Sequence, residues 1–175
     1  MKWYWAVVVF LLVLAGCTSA PSGITPVQGF ELDRYLGTWY EVARLDHSFE
    51  RGLSGVSAQY TLGEDGGVRV INRGIDSAGG EASQAEGRAY FVGDSNTGHL
   101  KVSFFGPFYG AYVVFELDPD YQYAFVSGYS RDYLWLLSRT PQVPASVMQA
   151  FRSRATELGF DLSGLIVSQP DDGGP

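Results

Sequence analysis

The chain contains a single cysteine, Cys17, placed directly after Leu14-Ala15-Gly16 at the end of an uncharged apolar stretch that begins at Trp3 behind Lys2. Small residues just before a cysteine suit a peptidase pocket with little room, and the thiol is then available for transfer of a diacylglyceryl group. No second cysteine competes for it as a disulfide partner. The apolar stretch is shorter than the about 20 residues that a membrane-spanning helix needs. Residues 1–16 therefore read as a signal peptide, and Cys17 as the lipidated first residue of the mature chain. A diacylglycerol plus an N-acyl chain, at about 0.8 kcal/mol per buried CH₂, exceeds what stable anchoring requires.

No other set of residues composes a reactive centre. The two histidines, His47 and His99, are not spaced as a metal pair, and neither a Gly-x-Ser-x-Gly elbow nor a phosphate-cradling glycine loop occurs. His99 reads as a surface residue at the start of a strand and gives haem little support. No catalytic residue, metal or cofactor is expected. The whole chain carries a net charge of −7, which becomes −8 once Lys2 leaves with the leader. So acidic a chain offers no stripe for phosphate backbones, which argues against nucleic acid as a partner.

The elements that must position any site are strands. After a stretch at 17–29 rich in Ser, Pro, Gly and Thr, which reads as a flexible tether outside any core, β-branched and aromatic runs alternate with turn residues every eight to twelve positions. Eight strands are expected, at Thr38 to Leu45, Gly55 to Leu62, Val68 to Ile75, Ala82 to Val92, His99 to Phe105, Ala111 to Leu117, Tyr121 to Tyr129 and Tyr133 to Ser138. Glu64-Asp65-Gly66-Gly67, Ser77-Ala78-Gly79-Gly80 and Asp118-Pro119-Asp120 supply hairpin turns between them. Val147, Met148, Phe151, Ala155 and Leu158 recur at helical spacing, predicting a helix over 145–158 that ends at Gly159. Leu165-Ile166-Val167 predicts a short final strand, and 169–175 a disordered tail.

Several runs, such as Ala111 to Leu117, are apolar on both parities, so neither face meets water. An all-β fold satisfies this: an eight-stranded antiparallel up-and-down barrel whose outer wall is covered by the C-terminal helix.

Gly37-Thr38-Trp39-Tyr40-Glu41-Val42-Ala43-Arg44 resembles the Gly-x-Trp segment that opens the first strand of lipocalins. Leu136-Leu137-Ser138-Arg139-Thr140-Pro141 is similar to their closing segment. Together with Asp46 to Leu53, Lys101 to Gly110 and Tyr133 to Leu136, these segments resemble the bacterial lipocalins that are outer-membrane lipoproteins, and apolipoprotein D. The resemblance covers about residues 30–168. It implies a barrel floor closed by Gly37, Trp39 and Arg139, with the guanidinium across the indole. It also implies a small hydrophobic ligand, a fatty acid or lysophospholipid, stored or transported in the interior. Thr18, in place of the aspartate that retains such lipoproteins in the inner membrane, favours the outer membrane; its periplasmic leaflet is the expected side, though the residue does not distinguish the leaflets. Some relatives pair, so a homodimer is possible. An enzyme acting on an oxidised or lyso-lipid, and a structural envelope protein with a filled barrel, stay open as alternatives.

Strand parity extends the floor upward. If Trp39 points inward, so do Glu41 and Ala43. Trp135 and Leu137 share the parity of Arg139, and Val56, Ala58, Tyr60 and Leu62 form one apolar set. Val102 and Phe104 form another, and Ala111, Val113 and Phe115 a third. Small inward residues at Ala43, Ala58 and Ala111 would leave room for a chain. Transfer of sixteen carbons offers about 12 kcal/mol before ordering costs. Phe105 to Tyr109 reads as an aromatic lip. The expected ligand contacts are Tyr109, Trp135, Phe104, Glu41, Ala43 and Val113, with Glu41 meeting either a headgroup or a nearby tyrosine.

Overall fold

The computed structural model describes residues 17–168. The expected leader at 1–16 and tail at 169–175 lie outside the described residues. A short helix, α1 (Leu32–Tyr35), leads into β1 (Gly37–Leu45). There follow β2 (Leu53–Leu62), β3 (Val68–Asp76), β4 (Ala82–Phe91), β5 (His99–Phe105), β6 (Phe108–Leu117), β7 (Tyr123–Ser127) and β8 (Leu134–Ser138). Helix α2 (Ala145–Glu157) and β9 (Leu165–Val167) complete the order. Each strand pairs antiparallel with the next, and β1 pairs with both β8 and β2, which closes the barrel.

Two hydrophobic clusters divide the molecule. The inner one holds Trp39, Ala58, Tyr60, Val70, Ala89, Val114, Val126 and Leu137. The outer one holds Ala43, Ala111, Val113, Phe115, Phe125, Leu134 and Leu136 beneath Phe151 and Ala155 of α2. This is why β6 and β8 are apolar on both parities: one face lines the axis and the other lies under a helix. Pro144 stands at the N-cap of α2. At the other end Gly159, at φ +82°, allows a Schellman close in which Phe160 N–H donates to Ala155 O at 3.0 Å and Gly159 N–H to Thr156 O at 3.0 Å.

Strand β1 serves two partners in succession. Its lower half, Gly37 to Tyr40, pairs with β2, whereas Ala43 to Leu45 pair with β9. The register against β8 slips between Glu41 and Ala43. That bulge inserts Val42, whose carbonyl accepts from Ser168 N–H at 2.9 Å. An inserted residue reverses the facing of everything beyond it.

The expected tether is instead part of the wall. Val27 N–H donates to Val114 O at 2.9 Å, Gly98 N–H returns to Val27 O at 2.9 Å, and Ile24 is buried in the outer cluster. Arg131 Nη2 donates to Ser22 O at 2.6 Å. Polar composition alone read this stretch as loose, but the free edge of β6 above Val113, where β7 has stopped, offers backbone groups that need partners. Cys17 O takes one of them, accepting from Ala111 N–H at 2.7 Å. His99 is only half exposed, its Nε2 lying 2.8 Å from Thr18 O. The expected strand at Tyr121 to Tyr129 shortens to β7, because Tyr121 turns at φ 58° below the barrel and 128–133 form a loop.

Candidate functional site

Strand direction places the 63–67, 92–98 and 118–122 turns with α1 at one end of the barrel, and the 46–52, 77–81, 106–107 and 128–133 loops at the other. The first end is sealed. Arg139 Cζ lies 3.9 Å from the centre of the Trp39 ring. Its Nη2 donates to Arg34 O at 2.7 Å, Nη1 to Thr38 O at 3.0 Å and Nε to Tyr121 O at 3.2 Å. Gly37 is required there: it has φ +100°, and a Cβ on it would sit 3.3 Å from Arg139 Nη1. The indole Nε1 donates to Tyr35 O at 2.7 Å, and the Tyr35 ring stacks on it with centroids 4.6 Å apart.

Above Trp39 the axis is crossed by three tyrosines. Tyr112 Oη lies 2.7 Å from Tyr35 Oη and accepts from Tyr60 Oη at 3.0 Å. Burial pushes the Tyr60 hydroxyl up to about 12 and those of Tyr35 and Tyr112 well above the usual range. These hydroxyls stay protonated and donate to one another. The lower barrel is thus filled by aromatic side chains.

The next layer is apolar and less covered. Val102, Phe104, Tyr112 and Trp135 pack against the inner cluster yet stay only partly buried. Small residues stand among the aromatics: Ala58, Ala89 and Ala124 belong to the inner cluster, and the Phe104 ring packs over Gly87, where a Cβ would come within 2.8 Å of it. Of the three alanines expected to leave space, only Ala58 faces the interior, opposite Trp39 near the floor. Ala43 and Ala111 face outward.

Near the open end the wall becomes ionic. Glu41 pairs with Arg44 Nη1, and both side chains are buried. A plain strand would send residues 41 and 44 to opposite faces, and the bulge at Val42 brings them together. Arg44 Nη2 also donates to Glu50 O at 2.9 Å and Leu53 O at 3.2 Å, tying the top of β1 to β2 where the two strands have diverged. Trp135 Nε1 donates to Glu50 Oε2 at 3.0 Å, and His47 Nε2 lies 3.0 Å from the same oxygen, at ion-pair distance but out of line for a hydrogen bond. Burial, reinforced by the Glu50 carboxylate, pushes Glu41 up to about 8. Burial also works on Glu50, but the nearby His47 ring, the Trp135 N–H and protonated Glu41 overcome it and hold Glu50 below the usual carboxylate range. A proton on Glu41 therefore lets the Glu41 and Glu50 carboxyl groups lie side by side in the buried wall. The tyrosine partner expected for Glu41 is replaced by Arg44 and Glu50.

The sequence-predicted contact residues divide accordingly. Trp135, Phe104 and Glu41 face the axis. Ala43 and Val113 do not: both lie under α2, because the bulge turns Ala43 outward and because Val114, not Val113, carries the inward parity of β6. Tyr109 also fails to reach the interior. Its ring lies 6.2 Å from that of Tyr90 and 5.1 Å from Lys101 Nζ, both on the outer face. Leu62, expected inward, is 61 % exposed at the sealed end. Arg44, His47 and Glu50 lie in segments that carried the resemblance, but nothing in their spacing aimed them inward, since a bulge and a loop fold decide their direction, and Tyr112 was missed with the parity of β6. Among the described residues no group of three or more His, Cys, Asp or Glu side chains could hold a metal ion. Two grooves, of about 280 and 250 Å³, lie on the outer surface, one beside Arg34 and Pro119 and the other between α2 and β6–β7.

A sealed floor, an apolar middle and a barrel of eight antiparallel strands agree with what the chain matches. The model of the lipocalin-like domain matches residues 30–170. The chain belongs to the lipocalin family. Lipocalins generally bind and transport small hydrophobic molecules rather than act as enzymes. The chain is 58 % identical over 159 residues to the outer membrane lipoprotein Blc of Vibrio cholerae, covering 90 % of this chain and 93 % of that one. It is 52 % identical over 166 residues to the protein of the same name from Escherichia coli, covering 94 % of both. Mouse apolipoprotein D is 30 % identical over 177 residues, covering 91 % of this lipocalin and 92 % of its own chain. Among solved structures, insecticyanin from the tobacco hornworm superposes with a TM-score of 0.71 at 21 % identity, over 89 % of this lipocalin and 88 % of insecticyanin.

Proposed function

We propose that this lipocalin stores or transports a fatty acid or lysophospholipid, held above the tyrosine layer, while Cys17 anchors it in the periplasmic leaflet of the outer membrane. The observation that carries the reading is the partly uncovered apolar belt of Val102, Phe104, Tyr112 and Trp135, on a closed wall with the sealed floor beneath. An alkyl tail that enters from the open end passes the Glu41–Arg44–Glu50 wall, packs on these side chains and stops at Tyr112. The relatives named outer membrane lipoprotein support the anchor, since their likeness extends over nine-tenths or more of this chain. A homodimer is compatible with this reading and adds nothing to the belt.

Native mass spectrometry of protein purified without detergent tests it, with extraction and identification of whatever co-purifies. A bound mass of one fatty acid or lysophospholipid per chain is expected. A bare acylated chain that also fails to take up added lysophospholipid would sink the reading and favour the filled-barrel alternative, for which the aromatic lower half already gives some ground. Turnover of the bound lipid by purified protein would favour the enzymatic alternative.

A further inference from the structure

The β5–β6 tip is the least covered apolar part of the described chain. Phe105 is 73 % exposed and Phe108 72 %, and the whole run from Phe104 to Gly110 carries no charge. Large apolar side chains gathered at one tip mark a contact surface. Cys17 lies at the same corner of the barrel, since its carbonyl accepts from Ala111 N–H at 2.7 Å. Ala111 is three residues from Phe108 along β6, about 10 Å at the rise of a strand.

Nor does the cysteine hang on a loose leash. Thr18 O lies 2.8 Å from His99 Nε2, Arg131 Nη2 donates to Ser22 O, and Val27 bonds to both Val114 and Gly98. An acyl anchor on a residue fixed to the wall fixes the barrel as well. The mature charge of −8 gives no electrostatic pull toward anionic lipid, which leaves apolar contact as the means of docking.

We propose that the β5–β6 tip inserts, through Phe105 and Phe108, into the same leaflet that holds the Cys17 lipid. The mouth of the barrel then faces the bilayer and exchanges ligand with it directly. Phe49, 64 % exposed on the loop that follows β1, lies on the same rim. The proposal rests on the acylation of Cys17 put forward above.

The test uses the acylated mature protein in vesicles of phosphatidylethanolamine and phosphatidylglycerol. Acylation consumes the single native thiol, so a nitroxide can be attached to Phe108→Cys or, as the control at the opposite end, to Leu62→Cys, where the native residue is 61 % exposed. Both positions are solvent-exposed, so folding should tolerate the change. Accessibility to oxygen relative to a nickel chelate is then read by electron paramagnetic resonance. A ratio several-fold higher at position 108 than at 62 is expected. Equal ratios in protein whose mass shows the acyl groups would overturn the orientation and leave the anchor standing. Absence of the acyl mass would overturn the anchor, and the orientation with it. Spin–spin broadening at position 108, without lipid contact, would show that a second copy covers the tip and would also overturn the proposal.

Discussion

Arg139 and Trp39 meet at the barrel floor with the guanidinium carbon 3.9 Å from the ring centre, and each of the three guanidinium nitrogens donates to a different backbone carbonyl. The interaction joins β1, the 118–122 turn, α1 and the segment after β8. Cation–π attraction of roughly 0.5–2 kcal/mol and hydrogen bonds of about 1 kcal/mol each make it a stability element. Arg139→Ala should lower the unfolding free energy by about 2–4 kcal/mol, measured by denaturant titration. Ligand affinity of the folded fraction should be unchanged; a loss of affinity with unchanged stability would refute the assignment.

Trp135 is placed to report on occupancy. The described residues hold two tryptophans, and Trp39 is sealed under Arg139 while Trp135 is part of the uncovered belt. Lysophospholipid should change tryptophan emission in the native protein and leave Trp135→Phe almost unresponsive. An undiminished emission change in that variant would move the ligand away from the β8 wall.

Glu41 should make stability depend on pH in an unusual direction. Its folded-state pKa of about 8 lies above the ordinary 4.5, so between these values the native state keeps a proton that the unfolded chain has lost. Stability gained from this group is full below the unfolded pKa and is lost as pH rises toward 8, by at most about 1.4 kcal/mol per pH unit. Glu50 acts oppositely, because its lowered pKa removes stability only as pH falls below the ordinary carboxylate range. Melting temperature should therefore fall between pH 5 and 8, and Glu41→Gln should flatten that slope. An equally steep slope in the variant would assign the proton elsewhere.

Inner and outer walls should respond differently to truncation. Phe151 is fully buried between α2 and the outer face of the barrel, so Phe151→Ala should cost about 3–5 kcal/mol without altering affinity in the folded fraction. Phe104→Ala should weaken lipid binding several-fold at a smaller cost in stability, because Phe104 is only partly covered. Calorimetric titration alongside thermal melts would show whether the two effects separate; a shared loss of affinity would mean that helix and cavity are not independent.

Tyr112 bridges Tyr35 and Tyr60, and Tyr112→Phe leaves both buried hydroxyls short of a partner. A loss of about 1–3 kcal/mol is expected from equilibrium unfolding. A neutral result would mean that water replaces the missing hydroxyl.

The strand count, the closing helix and the Gly37–Trp39 and Arg139 segments were legible because hairpin turns, helical periodicity and short motifs are local properties. Gly66, Gly80 and Gly159 all adopt the positive φ that their turns required. Alternation failed wherever a strand was apolar on both faces. On β6 it could not choose between Val113 and Val114, and only the packing of α2 against one of them decided which was inside.

By itself the sequence determined an eight-stranded barrel with a helix on its wall and a cysteine suited to acylation, and its resemblance to lipocalins implied a floor of indole and guanidinium. The tertiary structure decided which side chains face the axis, that 17–29 are wall rather than leash, and that Glu41, Arg44 and Glu50 share one buried layer. One inserted residue at Val42 reverses the facing of every residue beyond it on β1, and no composition or spacing along the strand records that slip; it exists only in the pairing of β1 with β8.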